Sequence, residues 1–201
     1  MSIADEATPF GVLVRESYFS PEECAELVRT LAAQASAPTP VFVPERGGYV
    51  DAANIRRVRT VEVGAEVRAA VQNRFEQALP DFAAHFGVPL NAIEPVSFLR
   101  YGPGDHFQAH RDSSHEGLAK HAARKVSIVV FLNEGVLEPR DGAFTGGELV
   151  LCVFGDDPRV ELLGIDLRAE PGTLVAFPSS MVHQVRPVTS GERYTLVSWA
   201  A

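Results

Sequence analysis

The chain has 201 residues, 46% of them hydrophobic and 22% charged, which is enough apolar material to bury a substantial core. Its formal net charge is −8, which disfavours a nucleic-acid backbone as a partner. The first ten residues, MSIADEATPF, lack the apolar segment of a signal peptide, and no apolar run reaches membrane-spanning length, so we expect no membrane association and a cytoplasmic location.

Two segments in the first part of the chain are predicted to be helical. In SPEECAELVRTLAAQ, Ser20 is suited to cap a helix and Glu23 to complete a capping box. In GAEVRAAVQNRFEQALPDFAAHFG, apolar residues recur at helical spacing, Pro80 is expected to interrupt the helix, and Gly87 is expected to close the segment. We therefore predict a helical N-terminal part over residues 1–92.

The remainder of the chain, residues 93–201, is predicted to form short β-strands. Seven runs are rich in β-branched or aromatic residues and are separated by Gly, Pro, Asp and Asn: AIEPVSFLRYG, HFQAHRD, KVSIVVFLN, GELVLCVF, GTLVAFP, HQVRPV and RYTLVSWA. Such a series without intervening helices indicates a sandwich, jelly roll or barrel. We expect a single α+β domain over residues 1–201, in which the helices pack on the outside of one sheet.

The segment RYGPGDHFQAHRDSS contains the pattern His-x-Asp. Because alternate residues of a strand share a face, His106, His110 and Asp112 should point the same way, and the last two should present an imidazole beside a carboxylate. Two ligands are too few for a tight metal site, so a third must come from elsewhere, and His183 is the candidate. Two histidines and one carboxylate form the facial triad of non-haem Fe(II) oxygenases. An isolated His-x-Asp could also be a polar pair on a solvated strand face.

The order of these motifs resembles the Fe(II)/2-oxoglutarate-dependent dioxygenase superfamily, and within it the prolyl-4-hydroxylase-like group. Arg193 follows His183 by ten residues, as the cofactor arginine does in that superfamily. The segments that are similar to the group are SPEECAELV, RYGPGDHFQAHRD, VVFLNEG with TGGELVL, and PGTLVAFPSSMVHQVRPVTSGERYTLVSW. The resemblance is firmest from Arg100 to Trp199, and it implies a double-stranded β-helix (jelly-roll) core with the N-terminal helices packed on one sheet.

The same resemblance implies that His110, Asp112 and His183 hold Fe(II) and form the catalytic centre. It implies a reaction in which O₂ and 2-oxoglutarate oxidise a C–H bond and yield succinate and CO₂, with ascorbate as an optional further cofactor. Halogenases related to this group replace the carboxylate ligand with a small residue. Asp112 is intact here, so hydroxylation is expected, and desaturation or ring closure would use the same site.

Three further residues are implied to bind 2-oxoglutarate. Arg193 would pair with the distal carboxylate, because a guanidinium binds carboxylates through two parallel hydrogen bonds. Thr195 shares the strand face of Arg193, and Tyr101, nine residues before His110, could donate its hydroxyl to the same carboxylate. From the sequence alone, Arg193 could instead be a rim cation, Tyr101 a packing residue and Thr195 an ordinary strand residue.

The implied substrate is a prolyl or peptidyl side chain or a small amino-acid-like metabolite, and the fold does not choose between them. Two long connections, residues 36–59 and 133–147, are candidates for lids over the site. In the first of them, Arg56, Arg57 and Tyr49 could contact a carboxylate or a peptide backbone of the substrate.

Two alternative functions stay open at this point, and the sequence does not give the oligomeric state. A nucleic-acid demethylase would use the same chemistry, but it would need a basic groove and a second arginine six residues after Arg193, where this chain has Trp199. A cupin-like jelly-roll metal protein, or a binding module without catalysis, would not need Arg193 at this spacing from His183.

Overall fold

The computed structural model describes residues 6–7, 11–43, 48–50, 52–113, 119–152, 165–167 and 169–201, and all structural statements below concern these residues. The helices are α1 (Pro21–Ala33), α2 (Ala65–Gln77), α3 (Leu79–Phe86) and α4 (Ala119–Ala123). The strands are β1 (Glu6–Ala7), β2 (Leu13–Arg15), β3 (Ser36–Pro38), β4 (Val41–Val43), β5 (Gly48–Val50), β6 (Arg56–Arg57), β7 (Arg59–Val61), β8 (Ser97–Tyr101), β9 (His106–His110), β10 (Val126–Phe131), β11 (Thr145–Gly146), β12 (Leu149–Cys152), β13 (Ile165–Leu167), β14 (Leu174–Pro178), β15 (Val182–Val185), β16 (Val188–Ser190) and β17 (Arg193–Ala200).

Both predicted helical segments are confirmed, including the interruption of the second. The Ser20 hydroxyl accepts the Glu23 backbone N–H at 3.2 Å, and the Glu23 carboxylate accepts the Ser20 N–H at 2.7 Å, which is a complete capping box. The second segment breaks at Ala78, so that Pro80 falls in the first turn of α3, where its missing N–H removes no helical bond. Gly87 ends α3 with a left-handed φ of 63°.

All seven predicted strand runs are strands, and they form two antiparallel sheets of a jelly roll. The larger sheet has the order β1-β2-β14-β10-β17-β8-β7-β3, and the smaller has the order β13-β12-β15-β9-β6. Two short pairs, β11 with β16 and β4 with β5, lie outside them. No helix in the described part of the chain is long and apolar enough to span a membrane.

The larger sheet lies between the helices and the smaller sheet. Ile128 and Val130 of β10 belong to one buried cluster with Phe75 of α2 and Phe82 of α3. Phe131, which points to the other face of β10, belongs to a second buried cluster that includes residues of the smaller sheet. The predicted packing of the helices on one sheet is therefore confirmed, and the opposite face of that sheet is free to line a site.

The first 92 residues contain strands as well as helices, which the sequence patterns did not predict. β2 extends the larger sheet beside β14, and β7 extends it beside β8. β6 adds an edge to the smaller sheet by pairing with β9, which sets Arg56 opposite Phe107. These runs are short and carry charged residues, so their strand conformation depends on partners far away in the sequence rather than on local preference.

Replacing Gly172 by alanine should destabilise the fold strongly. Gly172 has a φ of 81°, and an added Cβ would collide with the backbone carbonyl oxygen of Phe19, whose own N–H donates to the Gly172 carbonyl at 3.2 Å. Gly87 is a matched control, because it has a φ of 63° but open space around it. We expect Gly87→Ala to lower the free energy of unfolding by about 1 kcal/mol and Gly172→Ala by about 3 kcal/mol. Urea unfolding curves measure both, and equal losses would contradict the steric account.

Candidate active site

Strand pairing brings together three residues that the sequence separates. β9 and β15 are antiparallel neighbours, and His110 lies directly opposite His183 in their register. Asp112 follows the end of β9, and its backbone N–H donates to the carbonyl of Ser179 at 3.0 Å. One ligand atom from each of His110, Asp112 and His183 lies within 4.8 Å of the other two, so the three could hold a single metal ion.

The strand that carries His110 does not alternate regularly. His110 pairs with His183, and Phe107 pairs with Val185. The two pairs are three residues apart in β9 but only two residues apart in β15, so β9 contains a β-bulge. The bulge brings Phe107 onto the His110 ring, with centroids 3.5 Å apart. The prediction that His106 shares this face is therefore wrong. Its ring nitrogens lie 3.1 and 3.4 Å from two backbone carbonyls, away from the metal-binding cluster.

Backbone carbonyls orient both imidazoles. Nδ1 of His110 lies 2.8 Å from the Gln108 carbonyl oxygen, and Nδ1 of His183 lies 3.1 Å from that of Met181. A proton on each Nδ1 satisfies these contacts and leaves each Nε2 directed towards Asp112. Nε2 of His110 lies 3.4 Å from Oδ1 of Asp112, and Nε2 of His183 lies 3.3 Å from Oδ2. This arrangement is typical of metal-binding histidines, whose second nitrogen is held by a hydrogen bond.

The three groups shift one another's pKa values. Burial lowers the pKa of His110, and the charge of His183 lowers it further. Burial raises the pKa of Asp112, but the charge of His183 and the hydrogen bonds from both imidazoles outweigh it, and this pKa lies well below its usual value. Burial lowers the pKa of His183, but the Asp112 carboxylate outweighs this and raises it. An ionised carboxylate between two imidazoles suits a divalent cation, which would displace the proton held on His183.

Ser127 of β10 fixes the carboxylate, and the sequence analysis missed it. The Ser127 hydroxyl donates to Asp112 Oδ2 at 2.7 Å and lies 3.0 Å from the hydroxyl of Ser179. Ser127 is 1% exposed and points to the side of the larger sheet that faces the smaller one. Its signal in the sequence is a single polar residue within the apolar run KVSIVVFLN.

Arg193 is buried beside the triad. It is 1% exposed, and it pairs in register with Tyr101 of β8. Its guanidinium lies 4.9 Å from the centre of the Tyr101 ring, and Nη1 is 3.4 Å from the Thr195 hydroxyl. Among the described residues no carboxylate forms an ion pair with Arg193, and its Nε lacks a hydrogen-bond partner. Burial lowers the pKa of Arg193, and the nearby Tyr101 hydroxyl and Glu148 carboxylate only partly offset this. Burying an uncompensated cation is costly, so this position favours an anionic ligand.

All six residues that the sequence singled out line one cavity between the two sheets: His110, Asp112, His183, Arg193, Tyr101 and Thr195. Apolar side chains such as Leu99, Val129 and Leu149 form much of the remaining wall. Arg56 and Trp199 line it as well. The geometry therefore places a triad that could hold a metal ion beside a buried cation that could bind a carboxylate.

Two of the three residues suggested as substrate contacts lie elsewhere. Arg57 forms an ion pair with Asp105 at 2.8 Å, and the Tyr49 hydroxyl lies 3.0 Å from His121 Nε2. Only Arg56 of this group reaches the cavity. Part of the suggested lid over residues 36–59, namely 44–47 and 51, lies outside the described residues.

The chain is similar in sequence to proteins named PKHD-type hydroxylases. It is 26% identical over 178 residues to a PKHD-type hydroxylase of Synechococcus sp. strain CC9605, an alignment that covers 86% of this chain and 72% of the relative. Further PKHD-type hydroxylases match over shorter stretches, and the chain spans between 42% and 60% of the length of the next four.

Solved structures and a family model give the fold and the family. A Pseudomonas putida prolyl-4-hydroxylase superimposes with a TM-score of 0.70 at 23% identity and covers 97% of this chain and 95% of its own. A Trichoplax adhaerens prolyl hydroxylase, solved with a peptide fragment of hypoxia inducible factor, gives 0.67 at 16% identity over 97% and 85%. Both share the jelly-roll fold. The model of the 2OG-Fe(II) oxygenase superfamily matches residues 96–201, which include the whole triad and Arg193, and the chain belongs to that superfamily.

Proposed function

We propose that this chain is an Fe(II)/2-oxoglutarate-dependent hydroxylase that oxidises a C–H bond of a prolyl or peptidyl side chain or of a small amino-acid-like metabolite. The observation that carries the proposal is the placement of His110, Asp112, His183 and the buried Arg193 in one cavity. A cupin-like metal protein or a binding module would have no use for a buried arginine without a counter-ion at this point.

The triad residues have the donor set that Fe(II) requires. Nε2 of His110, Nε2 of His183 and the Asp112 carboxylate are the donors, and the remaining coordination positions would be open to exogenous ligands. Bound iron, together with 2-oxoglutarate and O₂, supplies the oxidising chemistry, which yields succinate and CO₂ as co-products. Ser127 holds the carboxylate in place through its hydrogen bond to Oδ2.

Arg193, Tyr101 and Thr195 are proposed to bind 2-oxoglutarate. Arg193 offers its guanidinium to the distal carboxylate, and the hydroxyls of Tyr101 and Thr195 stand beside it as further donors. The apolar wall of the cavity around them lowers the local dielectric and keeps water out, which strengthens this charge pair and limits side reactions.

The names of the related proteins support a prolyl or peptidyl substrate. The curated relatives are PKHD-type hydroxylases, and the Pseudomonas putida and Trichoplax adhaerens structures are prolyl hydroxylases, the second solved with a peptide. A small amino-acid-like metabolite presents the same kind of C–H bond to the site and is retained as the second substrate class.

Removing a triad ligand should abolish the cofactor complex. Under anaerobic conditions, Fe(II) and 2-oxoglutarate added to the wild-type protein should give a visible metal-to-ligand charge-transfer band, and Asp112→Ala and His183→Ala should lose it. His106→Ala, on the same strand but outside the cavity, should keep it. Absence of the band from folded, iron-loaded wild-type protein would contradict the proposal.

Arg193→Gln should retain iron but require much more 2-oxoglutarate. Loss of a buried charge pair costs roughly 2–5 kcal/mol, so half-saturation of the band should shift by about thirty-fold or more. Arg186→Gln is the control, because that arginine is an exposed residue that pairs with Asp166 at 2.7 Å on the surface. An unchanged 2-oxoglutarate requirement in Arg193→Gln would place the cosubstrate carboxylate elsewhere.

Ser127→Ala should weaken iron binding without removing it. The variant frees Asp112 Oδ2 from a 2.7 Å hydrogen bond, and loss of such a partner typically costs about ten- to a hundred-fold in metal affinity. Ser198→Ala deletes an equally buried hydroxyl of the neighbouring strand, which donates to the Glu94 carbonyl at 2.6 Å, and should leave the affinity unchanged. Competition with a coloured chelator measures both, and equal affinities of the two variants would contradict this role.

A further inference from the structure

Arg56 is a second cation in the catalytic cavity. The pairing of β6 with β9 places it opposite Phe107, and its guanidinium lies 4.7 Å from the centre of the Phe107 ring. Phe107 in turn stacks on the triad residue His110. Arg56 Nε is buried and lacks a hydrogen-bond partner among the described residues, and Nη1 reaches only the carbonyl oxygen of Pro40 at 3.5 Å.

The neighbouring arginines form ion pairs, whereas Arg56 forms none within the described part of the chain. Arg57 pairs with Asp105, and Arg124 forms two hydrogen bonds with Glu94 at 2.6 and 2.7 Å. Arg56 forms no ion pair with any described residue. It is half-buried with its Nε withdrawn from water, and burial lowers its pKa, an effect that the nearby Tyr101 hydroxyl and Asp112 carboxylate only partly offset. A charge of this kind is retained at a cost unless a ligand compensates it.

When the charges of the proposed iron and 2-oxoglutarate are counted with those of the described residues that line the cavity, Arg56 is the one charged group without an opposite charge. Among the described residues that line the cavity, Asp112 is the only carboxylate, and the proposed iron would share its charge. The two charges of 2-oxoglutarate then balance the remaining positive charge of the iron and that of Arg193. Nothing in this set forms an ion pair with Arg56, so its guanidinium is available to a negative charge on the substrate.

Arg56 is also placed where a substrate can reach it. It lines the cavity on one side and, on the other, an outer groove of about 320 Å³ bordered by Arg57, Arg59, Pro38 and Pro103. Arg56 is the residue that lines both spaces, so it lies between the outer groove and the cavity that contains the triad. The planar guanidinium, held over an aromatic ring, presents its free N–H groups in the geometry that suits a carboxylate.

We propose that Arg56 is a specificity-determining residue that binds a carboxylate of the substrate. The substrate is then a small molecule with a free carboxylate, such as an amino acid, rather than a residue within a neutral stretch of peptide. This inference rests on the proposed dioxygenase function and selects between its two substrate classes.

The test uses matched acids and amides. Free L-amino acids, their primary carboxamides and a blocked, neutral prolyl peptide are each added to wild-type enzyme with Fe(II), 2-oxoglutarate and O₂, and succinate release is measured above the rate without substrate. We expect at least one acid to stimulate release and its amide to fail. In Arg56→Gln, kcat/KM for that acid should fall about a hundred-fold, and Arg56→Lys should restore part of it.

Two controls separate this role from cofactor binding and from surface charge. Arg56→Gln should keep the anaerobic charge-transfer band and its 2-oxoglutarate half-saturation. Arg186→Gln removes an exposed arginine that pairs with Asp166 at 2.7 Å and lines neither the cavity nor the outer groove, and it should behave as wild type. A raised 2-oxoglutarate requirement in Arg56→Gln would assign the arginine to the cosubstrate and overturn the inference.

The other possible results also decide whether Arg56 binds a carboxylate of the substrate. The inference would be overturned if the amides or the blocked peptide stimulated succinate release as strongly as the acids. It would also be overturned if Arg56→Gln kept the preference for acids, or if no acid stimulated release. With the band and the substrate-free turnover intact, each of these leaves the dioxygenase function standing. Loss of the band in the wild type would instead remove the dioxygenase function and, with it, the basis for the role of Arg56.

Discussion

The site depends on one antiparallel pairing, that of β9 with β15. Their register sets His110 against His183, and the turn after β9 ties Asp112 by its backbone to Ser179 at the end of β14. Strands that are hydrogen-bonded on both sides move little, so ligands carried at their ends are held in fixed relation before any metal arrives. A slip of one residue in this pair would turn a histidine out of the cavity and dismantle the triad.

The larger sheet supports this pairing through the two faces of a single strand. β10 sends Ile128 and Val130 into the core beneath the helices, and it sends Ser127 to the Asp112 carboxylate. The same alternation that packs the helices therefore positions a polar group at the site. Helix packing contributes to function in this indirect way, because it fixes the plane from which Ser127 reaches the carboxylate.

The sequence predicted much of the fold and the candidate site, because those parts depend on local patterns or on a spaced motif. The capping box at Ser20, the break near Pro80 and the seven strand runs are local signals, and the structure contains each of them. The bulge in β9 and the strand around Arg56 follow from pairing between distant segments, which alternation within one segment does not encode. For this reason, alternation alone puts His106 on the wrong face of β9 and does not predict that Phe107 lies against His110.

Arginines without an ion pair are the feature that links this structure to the binding of anionic ligands. A folded chain ordinarily pairs or solvates its arginines, as Arg124 and Arg57 do here, because a buried guanidinium without a partner subtracts from stability. Among the described residues, Arg193 of the larger sheet and Arg56 at the edge of the smaller sheet both line one cavity without an ion pair, Arg193 fully buried and Arg56 half-buried. An anionic ligand would offset the cost of each. As proposed, one such anion is 2-oxoglutarate, beside Arg193, and a second belongs to the substrate, beside Arg56.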